Sequence, residues 1–123
     1  MSSKTPSRHD YRLVDMAEDM MRSRYSEPSS TRDVAFSLGV STRRIQIAFL
    51  NARSSRPLDV LKSIRLQIVR DHLSNPAEQR TVTDIATECG FFHLGRFSIE
   101  YAKMFGGKPS QTVLGVRGRA SRS

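Results

Sequence analysis

The chain of 123 residues contains no tryptophan, one cysteine and no long apolar run. Each absence excludes a class of protein. The single Cys89 cannot form an intrachain disulfide, so a disulfide scaffold is excluded and a reducing cytosol is the simplest home. No apolar stretch approaches the roughly 20 residues needed to cross a bilayer, and no membrane partner is expected. The opening MSSKTPSRHD lacks the apolar centre of a secretory signal and reads as a disordered lead-in over residues 1–9. His9, His72 and His93 have no ligand spacing to one another or to Cys89, so no metal site is expected. Phosphate-loop and dinucleotide motifs are missing, and no cofactor is expected. Asp71 and His72 adjoin, but no nucleophile or pocket motif accompanies them, and they read as a solvated helix face rather than an enzyme's acid–base pair. Strand-forming runs are scarce. An apolar fraction of 37% fills small helical units but not a large enzyme core, which points to an all-α fold.

Acid is also in short supply. The net charge is +8, and its placement matters more than its size. Residues 1–30 carry five basic and five acidic side chains, whereas 31–114 carry twelve and seven. Arg117, Arg119 and Arg122 make residues 116–123 a basic tail without acid, which either touches a nucleic-acid backbone or is a plain disordered end. A surplus lodged in the folded body favours a polyanionic partner.

Apolar spacing predicts a first helix over 10–24, capped by Asp10, with a stripe of Leu13, Val14, Ala17, Met20 and Met21. Ser30 and Asp33 have the spacing of a capping box ahead of a short helix that runs to Leu38. Gly39 suits a left-handed turn, and Ser41 can cap a further helix to about Arg53. Pro57 starts a longer helix whose apolar side holds Leu58, Leu61, Ile64, Leu66, Ile68, Val69 and Leu73, and Asn75-Pro76 ends it.

After a polar loop the pattern begins again. Ser30, Asp33, Val34, Ala35, Leu38, Gly39 and Val40 match Thr81, Asp84, Ile85, Ala86, Cys89, Gly90 and Phe91, 51 residues on. Beyond the turn the offset is 52: Ile45, Phe49 and Pro57 match Phe97, Tyr101 and Pro109. The second copy therefore has one extra residue in its turn. Small Ala35 and Ala86 let two helices cross closely, and a glycine four residues later makes the turn. Val34, Leu38, Ile45 and Ala48 are expected to face inward together, as are Ile85, Cys89 and Phe97. This is the helix-turn-helix pattern, present twice. It organises the chain as a first unit over 10–56, a linker helix over 57–75 and a second unit over 76–115.

On these residues the sequence resembles the DNA-binding domain of the AraC/XylS family of bacterial transcription regulators. Asp33-Val34-Ala35, Leu38-Gly39-Val40-Ser41, Arg44, Phe49 and Ile64-Arg65-Leu66 carry the likeness in the first copy and the central helix. Asp84-Ile85-Ala86, Gly90-Phe91, Leu94-Gly95-Arg96-Phe97-Ser98, Tyr101, Phe105-Gly106 and Pro109 carry it in the second. The resemblance covers about residues 10–115 and implies about seven helices, with two helix-turn-helix units joined by a long central helix. It also implies a DNA-binding regulator, more often an activator, that meets RNA polymerase. Many members carry a separate effector-sensing domain, so the chain reads either as a short regulator or as the carboxy-terminal part of a longer one. The sequence departs from the family at Ser29, in place of an aliphatic staple, and at Phe92, in place of a capping Ser or Thr.

In each unit the second helix is expected in a major groove of double-stranded promoter DNA. Thr42, Arg43, Gln46 and Ile47 point outward near the start of the first such helix. Arg43 can read guanine and Gln46 adenine, each with two hydrogen bonds, and Ile47 suits a thymine methyl. Ser41, Arg44, Arg53 and Arg56 are expected on phosphates, since no acid lies between residues 41 and 56. The matching outward positions of the second helix are Leu94, Gly95, Ser98 and Ile99, with Arg96 the one long basic group near its start. His93, Lys103 and Lys108 are its expected phosphate contacts. The first unit would supply most base readout, and the second anchoring and shape reading. A central helix of roughly 27 Å, at 1.5 Å per residue, lets one monomer meet successive grooves. An architectural binder of low specificity and a protein-docking helical module are the competing readings.

Overall fold

The computed structural model describes residues 6–120, with side chains from 6 to 116. Among them are seven α-helices and no strand: α1 (Arg8–Ser23), α2 (Thr31–Ser37), α3 (Thr42–Arg53), α4 (Pro57–Leu73), α5 (Val82–Glu88), α6 (Leu94–Phe105) and α7 (Pro109–Ala120). The all-α expectation holds. The chain divides into two units between Ile64 and Arg65, inside α4. The helix expected as a linker therefore lends its first half to one unit and its second half to the other.

α1 starts earlier than its apolar stripe suggests. Ser7, not Asp10, is the cap: the Asp10 N–H donates to Ser7 Oγ (3.1 Å) and the Ser7 N–H donates to Asp10 Oδ2 (3.2 Å). An aspartate at the third helical position can reach back to its own cap, so Asp10 closes a capping box from inside the helix. Of the lead-in expected over 1–9, Arg8 and His9 are helical, and residues 1–5 lie outside the described residues. At the other end α7 runs to Ala120, taking in most of the expected tail, and residues 121–123 are likewise outside.

The repeat is structural to the residue. α2 and α5 have seven residues each and begin 51 apart; α3 and α6 have twelve each and begin 52 apart. The turns match bond for bond. The Val40 N–H donates to the Ala35 carbonyl and the Gly39 N–H to that of Phe36. The Phe91 N–H donates to Ala86 and the Gly90 N–H to Thr87 in the same way. This pair of bonds ends a helix only with a left-handed residue after its cap, and Gly39 and Gly90 supply it at φ +70° and +97°. The extra residue of the second turn falls after this motif, between Phe91 and the start of α6.

In the first unit, α1 and α2 both pack on α3. Val14, Ala17 and Met21 of α1 meet a core that includes Val34, Ala35, Ile45, Ala48 and Phe49, all buried. Leu38 is only half-buried. Leu58, expected on the apolar side of α4, is 41% exposed. At 100° per residue it stands about 90° from the line of Pro57, Leu61 and Ile64, which are buried. In the second unit the core includes a run of tilted rings. Phe91, Phe97, Tyr101 and Phe105 follow with centroid separations of 4.9, 5.8 and 4.6 Å. The Arg70 guanidinium lies 4.8 Å over the Phe105 ring, and the Tyr101 hydroxyl shares a 2.8 Å hydrogen bond with Thr112, tying α6 to α7. Cys89 is buried here as expected, and burial pushes its thiol up to about 11.

Candidate nucleic-acid interface

α3 is positioned by its buried edge. Ile45, Ala48 and Phe49 fix one side against α1 and α2, which turns the opposite side to solvent. Ser41 caps the helix, its Oγ accepting the Arg44 N–H at 3.0 Å, and keeps its own proton to donate. Arg43 and Gln46 are exposed, while Thr42 and Ile47 are half-buried. Neither the Arg43 nor the Gln46 side chain has a hydrogen bond or ion pair among the described residues.

The basic groups of this unit expected on phosphates behave differently, each pairing with a carboxylate. Arg44 Nη1 is 2.8 Å from Asp10 Oδ1, and Asn51 Nδ2 donates to the other oxygen at 3.2 Å. Burial pushes the Asp10 carboxyl up, but Arg44, the Ser7 N–H and Asn51 together outweigh it and hold it at about 2. Arg53 is held by Glu18 at 2.9 Å and Asp15 at 3.2 Å. The segment from 41 to 56 has no acid of its own, but α1 brings three to it. Arg44 and Arg53 thus fasten α3 to α1. Arg56 pairs with Asp59 at 2.8 Å but remains 85% exposed. The signal missed in the sequence was the register of Asp10 and Glu18 on the buried stripe of α1, where an acid needs a partner.

α6 repeats the placement with other chemistry. Phe97 and Tyr101 are buried, so Gly95, Arg96 and Ile99 face outward, as does Lys103 one turn further on. Ser98 is half-buried, Leu94 is 38% exposed and Lys108 stands in the exposed turn beyond the helix. His93 occupies the cap position without a side-chain cap bond. Phe92 is 70% exposed; sequence reasoning noticed it only as a missing cap. Arg80 lies away from this helix in a cluster with Glu78, Glu88 and His72.

No helix among the described residues is long and apolar enough to cross a membrane. A family model described as a helix-turn-helix domain matches residues 34–114. A probable thc operon regulatory protein of Rhodococcus erythropolis is 36% identical over 119 residues, covering 85% of this chain and 36% of its own length. XylDLEGF operon transcriptional activator 2 of Pseudomonas putida is 36% identical over 75 residues, 60% of this chain and 48% of that protein. The chain thus spans about a third to a half of these relatives. A probable AraC family transcriptional regulator from Rhodopseudomonas palustris has a solved structure with TM-score 0.80 and 35% identity, covering 86% of this chain and 98% of that one.

Proposed function

Because the chain belongs to the AraC family of transcriptional regulators, we propose that it binds double-stranded promoter DNA sequence-specifically, with α3 of the first unit and α6 of the second each placed in a major groove. The observation that carries this is the contrast along α3. Arg44 and Arg53 are tied to α1, whereas Arg43 and Gln46 are held outward with no partner among the described residues. Side chains of these two types make paired hydrogen bonds to guanine and adenine edges. The rigid scaffold beneath them holds the reading geometry. Lys103 and Lys108, with Arg56 and His93 nearer the helix starts, supply phosphate contacts that set register but carry no sequence information. RNA polymerase is the protein partner of this reading, activation its sign of regulation and the bacterial cytoplasm its place of action. It assigns the chain no catalytic step.

Selection from a random duplex library tests the reading. A defined site should emerge, and Arg43→Ala should relax one base pair within it at a cost of about 1–3 kcal/mol. Equal affinity for selected and random duplex would instead identify a low-specificity binder.

A further inference from the structure

We propose that α6 reads thymine by its methyl group, seating one C5 methyl in a notch left by Gly95 between Leu94 and Ile99. The inference rests on the DNA-binding reading above and names what the second half-site contains.

Gly95 has no internal reason to be glycine. It is the second residue of α6, its φ is not positive, and a Cβ built there meets nothing within 4 Å. Gly39, Gly90 and Gly106, by contrast, all have positive φ. A glycine in a helix is less favourable than alanine by about 1 kcal/mol, so the fold by itself would be better served by a side chain. A glycine kept where the protein has room marks a close approach from outside.

What surrounds the notch is apolar at the centre and cationic at the edge. Ile99 lies one turn from Gly95 on the same side of the helix and is 59% exposed. Leu94 and Phe92 are 38% and 70% exposed. Arg96 and Lys103 flank Ile99, three residues before it and four after. A surface of this kind suits a groove with phosphate walls and an apolar feature on its floor. In the major groove that feature is the thymine methyl, which no other base carries. The positions of α3 that hold Arg43 and Gln46 are here Gly95 and Ser98, so hydrogen-bond readout gives way to shape and methyl contact.

The test starts from the duplex obtained by selection. Each thymine of the second half-site is replaced by deoxyuridine, which removes the methyl and nothing else, and affinity is measured by fluorescence anisotropy. One or two positions should weaken binding about fourfold each, the equivalent of about 0.8 kcal/mol per methyl. Gly95→Ala should melt no lower than the native chain, bind the thymine duplex about tenfold more weakly and prefer the deoxyuridine duplex. Ile99→Ser should lose the distinction between the two. A second half-site without thymine, or one indifferent to deoxyuridine, would overturn the proposal and leave the regulator reading standing. Unchanged binding by Gly95→Ala and Ile99→Ser would overturn it too. Failure to select any site would remove the regulator reading and this inference with it.

Discussion

Asp10 shows how one side chain serves two elements. It closes the capping box of α1 through Ser7 and holds Arg44 and Asn51 of α3. A buried carboxylate without those partners would be costly. Removing the cation should therefore cost more than its surface position suggests: Arg44→Met is expected to destabilise by about 1.5–3 kcal/mol, read by thermal unfolding at neutral pH. The acid dependence follows from the shift of Asp10 from 3.8 to about 2. A depressed carboxyl favours the folded state above its unfolded value, and that contribution fades as pH falls through the folded one. Stability should thus fall between about pH 4 and 2, with Glu78, also held at about 2 by Arg80, adding to the loss. The gap between native chain and Arg44→Met should shrink over the same range, because Asp10 of the native chain takes up its proton as pH falls towards about 2. An unchanged gap at pH 2 would mean that the pair carries no weight.

The two turns are the elements on which the repeat depends. Both use the same hydrogen bonds and a left-handed glycine, yet their surroundings differ. A Cβ on Gly39 meets nothing within 4 Å, so Gly39→Ala faces backbone strain alone, about 1–2 kcal/mol. A Cβ on Gly90 would lie 3.2 Å from the Arg65 guanidinium carbon and the φ is larger, +97°. Burial already disfavours the charge of Arg65, and its guanidinium lies against the turn. Gly90→Ala should therefore destabilise more than Gly39→Ala, by about 2–3 kcal/mol in all. Urea unfolding of the two variants decides the order, and equal midpoints would show that Arg65 moves aside freely.

At the scale of the whole molecule the count of 20 lysines and arginines overstates the cations open to DNA. Arg44, Arg53 and Arg80 are matched by carboxylates of the same unit. The salt dependence of binding should follow the open cations only. Each phosphate contact contributes about 0.9 to the slope of log affinity against log salt. Lys103→Gln and Lys108→Gln should each lower that slope by about one, while Arg53→Met should leave it unchanged. Titration between roughly 50 and 200 mM salt measures this. A reduced slope for Arg53→Met would return that residue to the phosphate-contacting set.

Much of this protein was legible without coordinates. The helix class, the doubled unit, the one-residue longer turn and the left-handed glycines were in the sequence because they are local: apolar spacing, a capping box and a φ requirement act within a few residues. The outward faces of α3 and α6 followed from the same periodicity. What the sequence did not show was who meets whom across the chain. Asp10 and Glu18 lie 34 and 35 residues from Arg44 and Arg53, and only the packing of α1 on α3 joins them. That pairing ties two expected phosphate ligands to α1 and leaves Arg43 and Gln46 without side-chain partners among the described residues. Gly95 is the converse case. Its identity was plain in the sequence, but only the tertiary fold decided that a Cβ there would meet nothing within 4 Å.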